Sequence, residues 1–268
     1  MIYLLTLVLK QRNEIIHKTV VKHYTKTLNR KTALLIIILS IIGIFTFKYI
    51  SHTEYEMTEY EKELTEYFNE IALESEFDNS SENVIKWTKP MKLYILKDKE
   101  YEQQVSFIKN TVETINEITQ DDFKIELMSD LKESNSVIFL CEREKAIELD
   151  SALFEGISED FSGLSLAEFN NRFEIYSSRI FIDVTEPIEL QKSVILEEIT
   201  QSLGLLNDSE KYTNSIFYEK QYIDNNSNYE YSKEDIEIIK LLYHPYMKPG
   251  LTKVEAENIL KRIFKNKK

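Results

Sequence analysis

Disulfides, clustered histidines and a basic surface are all missing from the folded part of this chain, and each absence removes a class of function. Its one cysteine, Cys141, has no partner for an internal disulfide, so packing alone must hold the fold. Cys141 ends the apolar run Val137-Ile138-Phe139-Leu140 and reads as a buried structural thiol, not a reactive nucleophile. Five glycines and four prolines in 268 residues exclude a collagenous or loop-dominated chain. No internal repeat or low-complexity tract occurs. The four histidines, His17, His23, His52 and His244, are too scattered for a three-histidine zinc site. Basic residues are also few: residues 53–268 hold 25 Lys/Arg against 45 Asp/Glu. That balance excludes nucleic acid as a partner, for which a basic footprint is needed, and reads as a solvated acidic surface.

Charge and hydropathy divide the chain into four parts. Residues 1–31 form a basic segment, with the apolar stretch 1–9 at its start. Residues 32–50 follow, in which Thr32 to Phe47 carries no charge and Lys48 can snorkel to the interface. That run is near the lower length limit for a helix crossing a bilayer, and it reads as a single membrane anchor. Eight Lys/Arg against Glu14 alone in residues 1–52 place the N-terminus in the cytoplasm and the acidic remainder outside it. Residues 51–81 are rich in Glu and Tyr. The spacing of Tyr60, Leu64, Tyr67, Phe68 and Ile71 reads as a helix, either a stalk or a docking helix. Residues 82–268 are expected to form the folded domain, complete without the preceding helix.

Within that domain, Met91 to Leu96 alternates as a strand, and Tyr101 to Ile118 has helical spacing of Val105, Ile108, Val112 and Ile115. Phe123 to Leu127 and Val137 to Cys141 read as further strands. Phe173 to Tyr176 and Arg179 to Val184 read as two strands joined at Ser177-Ser178, the first of them an edge strand at about 172–176. A second helix spans about 187–203, with Val194, Ile195, Ile199 and Leu203 inward, Pro187 in its first turn and Gly204 as its cap. The class is α+β, with a mixed sheet.

That second helix carries Glu197-Glu198-Ile199-Thr200-Gln201-Ser202-Leu203-Gly204-Leu205-Leu206-Asn207-Asp208. Glu197 and Gln201 lie four apart, one turn above the other on one face, as two ligands or two hydrogen-bonding groups require. The stretch has the layout H-E-x-x-H-x-x-G-x-x-H/D of a zinc-peptidase helix. Glu198 stands in the place of the general base and Gly204 in that of the glycine, while Glu197, Gln201 and Asn207 replace the ligands. Downstream, Ser215-Ile216-Phe217 resembles the S-x-M turn of matrixin-type metzincins, with Phe217 for the methionine. Asp235 to Tyr243 resembles the following D-I-x-x-I-x-x-L-Y helix. Together with the tail His244-Pro245-Tyr246-Met247-Lys248-Pro249-Gly250, these residues resemble the bacterial family known as domain of unknown function 2927. The resemblance implies a zincin-like fold over roughly 82–266.

The chemistry of those positions argues against zinc. Peptidase zinc takes neutral imidazoles and at most one carboxylate, whereas Gln201 and Asn207 offer only amide oxygens. No cofactor is expected; a weak, oxygen-liganded hard cation held by Glu197 and Asp208 is the nearest metal alternative. Without a Lewis acid, Glu198 would face an ordinary water, and most of the rate enhancement would be absent. The favoured reading is therefore a pseudoprotease that binds a peptide or protein outside the membrane by strand addition. An atypical hydrolase with Glu198 as base stays open, and so does a purely structural component of a membrane complex.

Overall fold

The computed structural model describes residues 33–42, 55–73, 82–156, 161–219 and 228–267. The basic segment 1–31, residues 32 and 43–50 of the apolar run, and residues 51–54 and 74–81 lie outside the described residues. The chain divides into two compact units, Met1–Glu56 and Met57–Lys268. In the first, residues 33–42 form a helix (α1) that exposes Leu34, Ile37, Ile38 and Ile41 and has no polar face. Among the described residues no helix is long and apolar enough to cross a membrane.

The second unit opens on α2 (Glu59–Leu73), β1 (Lys86–Trp87), β2 (Met91–Lys97), α3 (Glu102–Ile118) and β3 (Ile125–Met128). It continues through β4 (Ser136–Cys141), α4 (Arg143–Leu149), β5 (Gly163–Phe169) and β6 (Glu174–Asp183). Three helices close it: α5 (Ile188–Gln201), α6 (Lys233–Leu242) and α7 (Lys253–Asn266). The sheet is mixed. Its strands run in the order β1-β6-β4-β2-β3, all parallel, and β5 adds antiparallel to β6. Parallel neighbours need crossovers, and α3 supplies the one between β2 and β3.

Register sorts the side chains between two faces. Ile138 and Leu140 of β4 pair with Ile180 and Ile182 of β6, and Gly163 of β5 pairs with Ile182. This face turns to α5, because a Cβ on Gly163 would lie 2.2 Å from Val194 Cγ1. The opposite face gathers Phe139, Cys141, Leu164 and Phe181 under Ala146 of α4 and Leu153. Both faces are apolar, as a sheet covered on two sides demands.

Three expectations change. The segment 174–183 is one continuous strand, because the two serines there are not a turn: Ser178 is buried and its hydroxyl pairs with that of Ser136 across β4. The position 172–176 is therefore no edge, since β6 has neighbours on both sides, and the edge strand is β5. The compact unit also begins at Met57 and not at residue 82. On α2, Leu64, Tyr67, Phe68 and Ile71 are all fully buried, and Asn69 Nδ2 donates to Glu257 of α7 at 2.8 Å. Each such apolar side chain contributes about 1.5–3 kcal/mol, so α2 belongs to the core.

Candidate functional site

α5 is buried nearly along its length, and its end shows a complete account of backbone carbonyls. The last turn of a helix leaves its C=O groups without intrahelical donors. Here Glu198 O accepts from Ser202 N, Ile199 O from Ser202 Oγ, Thr200 O from Leu203 N and Gln201 O from Gly204 N. Tertiary partners take the next two: Trp87 Nε1 donates to Ser202 O and Tyr243 Oη donates to Leu203 O, each at 2.9 Å. Tyr243 Oη in turn accepts from Trp87 N at 3.4 Å. Gly204 has φ +108°, and a Cβ there would lie 2.0 Å from Ile85 O. The glycine is thus required twice, by its φ and by the strand entering beside it.

Gln201 and Asn207, two of the expected ligand positions, use their amide groups as donors. Gln201 Nε2 donates to Asp208 Oδ1 at 3.1 Å, and Asn207 Nδ2 donates to Asp208 O at 3.0 Å. Asn207 N donates to Ile71 O of α2 at 3.3 Å, which ties this corner to the helix before the sheet. Glu197 and Glu198 are both buried. One carboxylate and two amides that donate within their own loop do not match the imidazole-rich donors of a hydrolytic zinc. Among the described residues no three His, Cys, Asp or Glu converge as a metal cluster.

Glu198 has a further neighbour that the sequence reading did not single out. A Cβ on Gly163 would lie 2.8 Å from Glu198 Oε1 and 2.9 Å from its Cγ. The first residue of the edge strand is therefore pressed onto this carboxylate side chain, and only glycine leaves the room. Nothing in the sequence pairs positions 163 and 198; the antiparallel turn of β5 onto β6 does.

The Ser215-Ile216-Phe217 turn is organised by Asp235, which is fully buried. Its carboxylate accepts from Ser215 Oγ at 2.6 Å, Ile216 N at 3.2 Å and Ser232 N at 2.8 Å, and the last bond belongs to the capping box that starts α6. Since Ser215 gives its proton to Asp235, Ser215 Oγ accepts from Phe217 N at 2.9 Å and from Tyr67 Oη at 2.7 Å. Burial raises the Asp235 carboxyl above its ordinary value, against those hydrogen bonds. Burial first, then the nearby Asp235 charge, pushes the Tyr67 hydroxyl far up, so Tyr67 stays a donor. Phe217 itself is fully buried and fills the place below the turn with hydrocarbon.

Among the described residues, Lys86 is the one buried lysine or arginine. Its ammonium donates to Asp121 Oδ2 at 2.7 Å, Leu242 O at 2.8 Å and Met247 O at 3.4 Å, and lies 4.5 Å from the Tyr243 ring. Burial lowers its pKa, and Asp121 opposes that shift. Lys86, Trp87, Tyr67 and Gly163 were not among the sequence candidates. Two of them carried a visible signal: Tyr67 in the helical stripe of 60–71, and Trp87 as the only tryptophan.

These features define a mixed α/β domain whose central helix is closed by a glycine corner and buttressed by a serine–aspartate turn. Residues 61–262 match the family described as a protein of unknown function, DUF2927, and the chain belongs to that family. The match begins inside α2, in keeping with the burial of that helix. Among curated proteins the chain has no match.

Proposed function

We propose that this protein is a membrane-anchored, extracytoplasmic domain of zincin-like type, a catalytically degenerate metallopeptidase relative that binds an extended peptide along β5. The observation that carries the reading is the placement of the edge strand: Gly163 of β5 lies against Glu198, and among the described residues no strand pairs with the other side of β5. A peptide adding to that edge would run past the carboxylate that occupies the general-base position. The zincin-like reading draws support from a single antiparallel strand at the edge of a parallel sheet, a motif helix ending at Gly204, and a serine turn bound to the next helix. The degenerate reading draws on the amide donors of Gln201 and Asn207. The membrane reading draws on the uncharged run at 32–47 and on the basic residues before it.

The test uses the purified full-length chain in mild detergent and a fluorescein-labelled pool of extended peptides. Binding measured by anisotropy is expected for the plain pool and absent for a pool N-methylated at alternate residues, since strand addition needs backbone N–H groups. Glu198→Gln should leave both binding and stability nearly unchanged. Stoichiometric metal in the purified protein, with peptide cleavage that disappears in Glu198→Gln at unchanged Tm, would replace this proposal by the hydrolase reading. The burial of Glu198 beside a strand edge is the feature that favours that second reading.

A further inference from the structure

The tail His244-Pro245-Tyr246-Met247-Lys248-Pro249-Gly250 plays no part in the site above except through the backbone carbonyl of Met247. It opens a stretch whose charge is opposite to that of its surroundings. Residues 244–268 hold seven Lys/Arg against two Glu, in a chain of net charge −13. Both acids are engaged: Glu255 caps α7 by accepting from Thr252, and Glu257 accepts from Asn69. Lys248, Lys253, Arg262, Lys265 and Lys267 are exposed, and Lys261 is half-buried. Arg262 lies over the Tyr246 ring at 4.2 Å, and the His244 and Tyr246 rings are 5.0 Å apart. Lys267 reaches Glu237 at 2.9 Å and is close enough to His244 to help lower its pKa, after burial. Lys248 acts on Lys86 in the same way. Like charges are thus gathered on one part of an acidic protein, where their field suits an anionic surface.

Apolar groups accompany the charge. Tyr246 is 38% exposed and Val254 67%, the highest exposure of any large apolar residue described in the second unit. Val254, Asn258 and Arg262 are four apart on α7 and share one face. An exposed aromatic ring and an exposed aliphatic side chain beside arginine and lysine is the composition of a surface that settles into lipid headgroups.

We propose that the turn 244–250 and the exposed face of α7 form a docking surface for an anionic lipid layer. Arg262 and Lys265 meet the headgroup phosphates, and Tyr246 and Val254 enter the headgroup region. This contact is separate from the apolar run at 32–50 and from peptide binding on β5, and depends on neither.

The test places a fluorophore on full-length Val254→Cys protein, where the buried Cys141 does not compete for the label. Liposomes of phosphatidylcholine are compared with liposomes containing phosphatidylglycerol. An inserted anchor acts alike in both, so only headgroup charge differs. Blue-shifted emission is expected with phosphatidylglycerol alone and should vanish at high salt. Each cation near an anionic surface is worth roughly five-fold in partition, so Arg262→Gln/Lys265→Gln should weaken the response about 25-fold, and Arg262→Lys should retain it. Equal emission with both liposomes, or an undiminished response in the double variant, overturns the proposal. So does inorganic phosphate alone reproducing the shift, which would make the ligand a free anion.

Discussion

Replacing Gly204 by alanine probes the corner that joins the motif helix to the rest of the domain. The backbone at this position, φ +108°, costs an L-residue about 1–2 kcal/mol by itself. The new Cβ would lie 2.0 Å from Ile85 O, and real contacts essentially never fall below 3.0 Å, so α5 and the entry to β1 must part by at least 1 Å. That movement takes Trp87 Nε1 and Tyr243 Oη out of reach of Ser202 O and Leu203 O, both now at 2.9 Å. Two buried carbonyls without donors cost about 1–3 kcal/mol each, which brings the expected loss to ~3–8 kcal/mol. A domain has only about 5–15 kcal/mol in total, so the variant should stand near the edge of unfolding. Urea denaturation of the full-length protein in mild detergent, followed by emission of Trp87, reads both stability and the local contact. Gly156→Ala is the control: its φ is +81°, but no atom lies within 4 Å of the added methyl, so only the backbone part should be lost. Equal destabilisation of the two variants, with Trp87 emission unchanged in Gly204→Ala, would refute the argument.

The fragment 82–268 should aggregate or unfold where 57–268 stays monodisperse, because it lacks Leu64, Tyr67, Phe68 and Ile71; size-exclusion chromatography decides, and a monodisperse short fragment would return α2 to the status of a stalk. Tyr67→Phe should cost only about 1 kcal/mol in the same denaturation assay, since Ser215 Oγ keeps its bonds to Asp235 and Phe217. The Asp235 carboxyl is raised in the folded state, so its stabilising contribution is complete below the ordinary value of 3.8 and is lost as pH rises through the folded pKa. The stability difference between wild type and Asp235→Asn should therefore shrink with rising pH across that window, and a difference that grows instead contradicts the burial argument. Burial pushes the Cys141 thiol up to about 11, so alkylation at pH 8 should be negligible until urea unfolds the domain, and rapid labelling of the native protein would show the thiol is not in the core.

Periodicity alone was enough for α3, β2, β4 and α5, because each buries one regular stripe or a continuous apolar run. The end of α5 was equally visible, since a glycine after a helical stripe has few other uses. The single thiol at the close of an apolar strand was placed correctly for the same reason. Other features depend on partners distant in the chain. Ser177-Ser178 has the composition of a turn, and only the buried hydroxyl of Ser136 makes Ser178 part of a strand. β5 was missed because its apolar alternation is only Leu164 and Leu166 before Glu168 breaks it; Gly163 is there to admit Glu198, which lies thirty-five positions later. The Tyr-rich helix left a stalk and a docking helix equally open, because its polar face is as prominent as its apolar one. What the sequence by itself determined is the regular elements α3, β2, β4 and α5, the glycine that ends α5 and the charge division of the chain, which are local properties. Tertiary structure decided that Trp87 and Tyr243 close the motif helix, that α2 completes the core and that β5 is the open edge. Those follow from which buried donors and side chains meet, and no local pattern encodes such meetings.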